Sequence, residues 1–506
     1  MRAAIPLRQL AGRLGALSID GGLDSSVAAL AYDARRVVPG ALFFAVAGAG
    51  GEGAQSIPRA IERGAAAIVS EQGGFVPYRA TRIRVANCRH ALAVAAATFY
   101  GHPSRKLQMV VVTGCAARAA VAQVLRALLS ASGISTALLG SLGCQVGERT
   151  LPPLAAAPEA LDIQELLAEA SRAGDRACVI EVGPEALDRG CLAVSELDTL
   201  IVTEIAADAT GLAGGHERPA GGSAEGGFTF RPQNSAARHD HAWRVTDVLN
   251  GRASLGADTV LRLACGPGHA FTVRAKLRRL TPRATRIEVE TPGGPLSLNL
   301  ALVGRPNARA ALAAVAVAQA MKLPLPVIAA GLARLPAVAG HLEPVATGLP
   351  LHVFVDACRS ALDLEAALGA IRELTSGRVL LLFGCSRHHP AAARPFFGAV
   401  AARCADETIF TADNPGSESP EVISAQVASG YVPVKGAPPF MVHDRREAIR
   451  ELLRLARPGD CVLLAGKGHR CIQELGDCVI PFDDREYAQA ALDSLGWRGR
   501  EREAVV

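Results

Sequence analysis

Polar residues in this chain gather directly after short apolar runs, the place where an open α/β sheet meets its ligands. MVVV at 109–112 leads into Thr113 and Gly114, and a helical pattern follows. CVIE ends on Glu181, HVFVD ends on Asp356, and TIFTAD leads into Asp413 and Asn414. CVLLA leads into Gly466, Lys467, Gly468 and His469. As residues alone, Glu181 reads as a strand-end carboxylate facing solvent. GKGH reads as a strand-to-loop glycine turn with exposed polar residues. His388-His389 has the chemistry of a metal pair, but its setting in GCSRHHP reads as an exposed loop.

Elements of an α/β protein must hold these residues. At 506 residues the chain exceeds one core and predicts two to four domains. Half the residues are apolar and 20% are charged, which places it among soluble globular proteins. Aromatics are only 4%, so small and branched aliphatics must build the core. A formal charge of +5 with no basic run argues against a nucleic-acid partner. Lys occurs only at Lys106, Lys276, Lys322, Lys435 and Lys467. The remaining basic residues are Arg, a skew that a GC-rich genome produces without functional cause. The 12 Cys form no CxxC pair, and Cys471 and Cys478 are too far apart for a zinc knuckle, so free thiols in a reducing cytoplasm are expected. The first residues lack a long apolar stretch, so no signal peptide is expected. No apolar run approaches 18 residues, so no membrane span is expected.

Periodicity divides the chain into three units. Residues 1–104 predict a small α/β domain: a strand at 41–48, a short helix at 57–65 and a second strand in AAAIVSE. Residues 105–343 alternate strand and helix, which predicts a parallel sheet. LQMVVVTG is a strand, Val121, Val124, Leu125 and Leu128 share a helix face, and STALLGS, ACVIEV and TLIVTEI are further strands around the helix DIQELLAEASRA. Residues 206–234 read as loop. TRIEVETPGGPLSLNLALVG reads as an antiparallel hairpin turning at Pro292-Gly293-Gly294-Pro295, and ARAALAAVAVAQAM as a helix. Residues 344–506 predict an open doubly wound domain with strands HVFVDA, RVLLLFG, TIFTAD and CVLLAG. Its helix EAIRELLRLA puts Ile449, Leu452, Leu453 and Ala456 on one face.

Phrases spread over about 450 residues then converge. YDARRVVPGALFFAVAG, PEALDIQ, VIEVGPEALDRG, FTADNPGSESP, VLLAGKGH and IPFDDRE occur in order. Together they resemble Mur ligases of the MurE type. That resemblance implies an N-terminal UDP-sugar-binding-like domain, a central P-loop-like ATPase domain with a parallel sheet plus an antiparallel subdomain, and a C-terminal Rossmann-like domain. It also implies ATP and Mg²⁺ as cofactors and UDP-N-acetylmuramoyl-peptide as partner; three units joined by short linkers predict a monomer with mobile domains. Other enzymes of peptidoglycan synthesis are further candidate partners. In this family an acyl phosphate forms on the peptide carboxylate and an incoming amine attacks it.

Residue by residue, the resemblance places ATP at Thr113, Gly114, Arg118, Asn307 and Asp356, and a metal on Glu181. It gives Glu181, Lys467 and Arg118 catalytic roles, and substrate to Tyr32, Asp33, Ala34, Asp413, Asn414, Gly466 and His469. The departures are as informative. Where the family reads TGTNGKTT, this chain reads TGCAARAA: Cys115, Ala116 and Ala117 differ, Arg118 takes the Lys position, and Ala119 and Ala120 lack the hydroxyls. Arg is a forked, bulkier cation than Lys. Each lost phosphoryl contact is worth on the order of 10²–10³ in rate. Gly183, Pro184 and Glu185 stand where Ser-Ser-His would follow Glu181. No Lys lies between Lys106 and Lys276, so the carbamylated Lys of many relatives has no counterpart. Gly304, Arg305 and Asn307 persist, while Pro306 and Ala310 depart. DYAHTP becomes Asp356-Ala357-Cys358-Arg359-Ser360-Ala361. DNPR becomes Asp413-Asn414-Pro415-Gly416, losing an Arg, and GCGGDRD becomes Gly384-Cys385-Ser386-Arg387-His388-His389-Pro390. Arg470 reverses the sign of a Glu. In the sugar region Asp33 and Arg35 persist around Ala34, and Tyr32, Ala34 and the Ala49-Gly50-Gly51 turn are expected near uridine. Ala156 and Ala157 replace Thr-Thr, and Cys191 replaces Arg.

Framework phrases kept, with polar strand ends turned to Ala, Gly, Pro or Arg, point to a fold retained without turnover. The expected protein is a catalytically impaired MurE-like chain that binds, scaffolds or regulates in peptidoglycan precursor metabolism. The alternative is an active ligase with an atypical phosphate site using Arg118. A third reading is a diverged ligase for another acid and amine.

Overall fold

The computed structural model describes residues 4–48, 51–72, 80–114, 118–155, 157–202, 228–229, 244–245, 259–264, 270–335, 337–345, 347, 350–387, 389–433 and 438–497. The expectations for Ala49, Gly50, Cys115, Ala116, Ala117, Ala156, His388 and most of the 206–234 loop lie outside the described residues. The chain forms two compact units, residues 1–122, 129–251 and 262–271 in one, and 123–128, 252–261 and 272–506 in the other.

Among the described residues, two larger sheets of five and six strands build the first unit. Its N-terminal sheet runs Ala16–Asp20, Thr81–Val85, Ala67–Ser70, Ala41–Phe44, Ala29–Ala31, antiparallel only at the first pair. Phe43 and Phe44 are fully buried, so the aromatic dipeptide fills both faces. The predicted 41–48 strand stops at Phe44. The amide of Val46 turns back to the Phe44 carbonyl at 2.9 Å, and Ala47–Gly48 pairs with Gly51–Glu52 instead. Helix Cys88–Tyr100 starts at Asn87, whose side chain accepts from the His90 amide, and ends at Gly101 with φ 73°.

The second sheet of this unit runs Arg149–Leu151, Gly143–Val146, Thr136–Gly140, Ala177–Glu181, Gln108–Thr113, Thr199–Val202. The four parallel strands are those the sequence predicts. The antiparallel edge hairpin is an addition. It turns at Gly147, φ 55°, where a Cβ would come within 3.0 Å of Ala173. Helix Arg118–Ala131 buries Val121, Val124, Leu125 and Leu128 as its spacing predicts.

Mostly within the second unit, a four-stranded sheet runs Thr259–Ala264, Ala270–Thr281, Ala284–Thr291, Gly294–Leu300, with the last three strands antiparallel. The predicted hairpin is present, with Thr291 opposite Gly294 and Pro292-Gly293 as its loop. A six-stranded sheet follows in the order Glu343–Val345, His352–Asp356, Cys461–Ala465, Val379–Phe383, Glu407–Phe410, Phe440–Met441, parallel except at its first edge. Alternate residues of each strand serve opposite cores. Phe354, Leu381, Phe383 and Leu463 pack with Leu368, Ile371 and Phe397 of helices Ala361–Arg372 and Arg394–Cys404. Val353, Val355, Leu382 and Leu464 pack with Ile449, Leu452, Leu453 and Leu492 of helices Arg445–Leu455 and Asp484–Ser494. Each such aliphatic side chain contributes about 1.5–3 kcal/mol on burial. This is the doubly wound arrangement expected, and it sends every parallel strand's C-terminal end to one edge. Among the described residues no helix is long and apolar enough to cross a membrane.

Candidate functional site

In the first unit, strand Gln108–Thr113 and strand Ala177–Glu181 are parallel neighbours, with Val112 opposite Glu181. Arg118, first residue of the following helix, reaches back across this end. Its Nη1 donates to the Gly114 carbonyl, and its Nε lies 3.5 Å from Glu181 Oε1. Glu181 is only 5% exposed, so it does not face solvent as the bare sequence suggests. Ser141, at the end of strand Thr136–Gly140, supplies the rest. Its amide donates to Oε2 at 2.9 Å, and its hydroxyl lies 2.8 and 2.6 Å from Oε1 and Oε2. A buried carboxylate needs a cation or donors. Here the chain provides both from its own residues.

In the sugar region, Asp33 caps a short turn, accepting from the Arg35 amide at 2.9 Å and pairing with the Arg35 guanidinium at 2.8 Å. The Arg35 guanidinium beside it holds the Asp33 carboxyl below its ordinary range. Tyr32 donates its hydroxyl to Asp162 at 2.7 Å. Burial first, then that carboxylate, raises the Tyr32 phenol above its usual value. Asp162 belongs to the capping box of helix Ala160–Ala173. Ala34 is buried. A cavity of about 360 Å³ lies beside the Ala45–Ala47 segment, walled by Glu71, Asn87, Arg89, Asp188 and Arg189, and without Tyr32, Asp33 or Ala34. Arg89 spans it, donating to the Ala47 carbonyl at 2.5 Å and to Glu159 at 3.1 Å. Sequence reasoning missed this wall. The only signal was a charged residue two positions beyond an N-capping Asn.

In the second unit, the C-terminal ends of the parallel strands bring Asp413, Asn414, Gly466, Lys467 and His469 together. Lys467 is fully buried, which corrects the expectation of an exposed turn. Its Nζ lies 3.1 Å from Asp413 Oδ1 and donates to Asn414 Oδ1 at 3.1 Å and to the Ile472 carbonyl at 3.0 Å. Burial lowers the Lys467 pKa, and Asp413 opposes that shift. Arg470 Nη1 stands 3.5 Å from Asp413 Oδ2. Both Asp413 oxygens thus sit at ion-pair range, yet neither is met at hydrogen-bonding geometry, so the pairing is Coulombic. Gly466, φ 102°, has no room for a Cβ, which would fall 2.2 Å from the Gly384 carbonyl oxygen. His469 packs against Gly340, where a Cβ would lie 3.0 Å from its Nδ1. Gly416 is also crowded, since a Cβ there would meet Arg387 Cδ at 2.6 Å. Arg387 pairs with Glu474 at 3.1 Å.

Asn307 and Asp356 serve the backbone. Asn307 donates its amide to the carbonyls of Val303 and His341 at 3.0 and 2.9 Å. Asp356 accepts from the amides of Leu342 and Cys358 at 2.8 and 2.9 Å. Burial pushes the Asp356 carboxyl up to about 6. The folded chain therefore holds that proton more tightly than the unfolded chain, whose Asp titrates near 3.9. The resulting stabilisation is full below about pH 4 and lost as pH rises through about 6. Urea unfolding at pH 4.5 and pH 7.5 should show an Asp356→Asn variant gaining about 2–3 kcal/mol relative to wild type across that window. Parallel pH profiles for the two proteins would contradict the assignment.

Comparison with known proteins accords with this architecture. Residues 342–468 match the family described as Mur ligase, glutamate ligase domain, and residues 26–100 match Mur ligase family, catalytic domain. UDP-N-acetylmuramyl-tripeptide synthetase of Roseiflexus sp. (strain RS-1) is 35% identical, covering 94% of this chain and 96% of its own. UDP-N-acetylmuramoyl-L-alanyl-D-glutamate--2,6-diaminopimelate ligase of Solibacter usitatus (strain Ellin6076) is 33% identical over 94% and 95% of the two chains. The chain belongs to the Mur ligase family. A solved UDP-N-acetylmuramoyl-L-alanyl-D-glutamate--2,6-diaminopimelate ligase shares the three-domain α/β fold at TM-score 0.59 and 18% identity, covering 97% of this chain and 99% of that one. MurF from Acinetobacter baumannii follows at TM-score 0.54 and 16% identity, covering 92% and 95%. At these identities the solved structures speak to fold.

For this Mur ligase chain, the strand-end residues do not fit a magnesium–nucleotide site. Both Glu181 oxygens already accept hydrogen bonds, Arg118 points at Glu181 and Gly114, and positions 119 and 120 carry methyl groups only 8% and 2% exposed. Among the described residues, no cluster of three His, Cys, Asp or Glu has the arrangement of a metal site.

Proposed function

We propose that this chain is a MurE-like protein of peptidoglycan precursor metabolism that binds a UDP-N-acetylmuramoyl-peptide without turning over ATP, and acts by binding or regulation. One observation carries this reading: the cation at the P-loop Lys position, Arg118, stands at ion-pair distance, 3.5 Å and without hydrogen-bond geometry, from the carboxylate, Glu181, that would otherwise receive the metal. In a working phosphoryl-transfer site the Lys cradles the β/γ-phosphates while a carboxylate helps to hold the metal, so each is turned to the nucleotide. Here they are joined at 3.5 Å, with Ser141 closing the other side. The names of relatives support the substrate class, since they act on UDP-N-acetylmuramoyl-L-alanyl-D-glutamate. The reading carries with it the three domains 1–104, 105–343 and 344–506, and a cytoplasmic monomer.

The test is phosphate release from Mg-ATP with UDP-N-acetylmuramoyl-L-alanyl-D-glutamate and a panel of amino acids, beside calorimetry with the nucleotide sugar alone. The expected result is binding of the nucleotide sugar and release no faster than buffer. Turnover that Arg118→Ala abolishes would establish an active ligase using an arginine phosphate site.

A further inference from the structure

The antiparallel sheet of the second unit has one closed face and one open face. Strands Ala284–Thr291 and Gly294–Leu300 alternate strictly, and Ile287, Val289, Leu296, Leu298 and Leu300 are buried. Helices Gly304–Ala320 and Leu325–Ala333 contact these strands. The open face carries charge. Arg279 stands directly opposite Arg286, which stands directly opposite Asn299 on the next strand. All three are exposed. Like charges directly opposite each other on one face oppose strand pairing. A sheet normally avoids the arrangement or places an acid beside it. Glu288 is the acid at the next pair along this face; Arg278, displaced by the bulge between Leu277 and Arg279, pairs with it directly, while Arg286 and Lys276 reach it only through space. Among the described residues neither Arg279 nor Arg286 has an acidic partner in an ion pair. Both line a concavity of about 550 Å³, with Thr281, Ser297 and Asn299 offering further polar hydrogen. That volume lies within the range of small-ligand sites.

We infer that this face is an oxyanion site that takes a phosphate or diphosphate group carried by a small soluble molecule. Two guanidinium forks approaching one oxyanion form charge-assisted, bidentate hydrogen bonds, and the anion relieves the repulsion between them. Asn299 and Ser297 donate to the remaining oxygens. The site uses neither Arg118 nor Glu181 and does not depend on whether the chain turns over ATP.

The test is titration of the full chain with inorganic pyrophosphate by calorimetry at low salt, for wild type, Arg279→Ser with Arg286→Ser, and Arg454→Ser. Arg454, paired with Glu451 on the outer face of helix Arg445–Leu455, controls for loss of a surface charge. Saturable binding is expected, weakened at least about tenfold in the double variant and unchanged in the control. Melting temperature gives a second readout: pyrophosphate should raise it in wild type and not in the double variant. Equal affinity in wild type and double variant would overturn the site, as would no binding at low millimolar pyrophosphate. Co-sedimentation with phosphatidylglycerol vesicles but no response to pyrophosphate would equally overturn it, assigning the face to a membrane surface.

Discussion

Asp484→Ala should lower the unfolding free energy of the C-terminal sheet region by about 3–5 kcal/mol, the cost of leaving a buried cation without its anion. Arg445 and Asp484 are both fully buried and meet through two parallel contacts of 2.7 and 2.6 Å. The guanidinium also donates to the carbonyls of Ala465 and Ala412 at 3.2 and 3.5 Å, so it links the ends of two parallel strands to helix Asp484–Ser494. Alanine removes the charge and leaves those forks facing an apolar hole. Replacing both partners with apolar residues, Arg445→Met with Asp484→Leu, should recover most of the loss, because well-packed substitutes for a buried pair are often near neutral. Trp497 gives a local readout. It is 1% exposed, donates Nε1 to the Leu453 carbonyl at 3.3 Å and shares a core with Ile449 and Leu492. Its fluorescence should follow urea unfolding at a lower midpoint in Asp484→Ala. A midpoint equal to wild type would mean that the pair contributes nothing to this core.

The framework was legible because hydrophobic period and strand-end glycines report directly on backbone geometry. Strands 108–113, 136–140, 177–181, 352–356, 379–383, 407–410 and 461–465 all fall inside apolar runs that end in Gly or a polar residue. Helix Arg445–Leu455 was equally plain, since Ile449, Leu452 and Leu453 recur at helical spacing and are fully buried. What stayed hidden were short antiparallel edges. Gly143–Val146 with Arg149–Leu151, and Ile472–Leu475 with Cys478–Pro481, carry too few residues for a period to emerge. Strand 41–44 was overextended because AVAG continues the apolar run while the backbone turns at Ala45.

At the strand ends, residue type named the participants but not their partners. Nothing in the order of residues says that Ser141 would face Glu181 across 40 positions, or that Tyr32 would reach Asp162 across 130. The substitution of Arg for Lys at position 118 is visible as a forked, bulkier cation. Only the parallel register that brings Val112 beside Glu181 shows where its extra reach goes. Gly416 illustrates the same point. Its loss of an Arg reads as an emptied position, yet Arg387 from a different loop occupies the space a side chain there would need.

Lys467→Met should cost about 3–5 kcal/mol, by stranding a buried carboxylate. The ammonium touches Asp413, Asn414 and the Ile472 carbonyl, which come from the loop after strand Glu407–Phe410 and from hairpin Ile472–Leu475. It also lies 5.3 Å from the centroid of Phe482, a favourable place for a cation in a dry setting. Without it, Asp413 keeps Arg470 at 3.5 Å as its ion-pair partner among the described residues, and the Ile472 carbonyl loses a donor. Adding Asp413→Asn to Lys467→Met should restore part of the stability, since the second change removes the charge that the first leaves unpaired. A double-mutant cycle on urea midpoints measures this coupling. A role confined to chemistry predicts the opposite: midpoints that do not move and single substitutions that simply add. The GKGH turn would then owe its lysine to substrate. The geometry favours the structural account, because Lys467 is fully buried and its ammonium holds Asp413, Asn414 and the Ile472 carbonyl together.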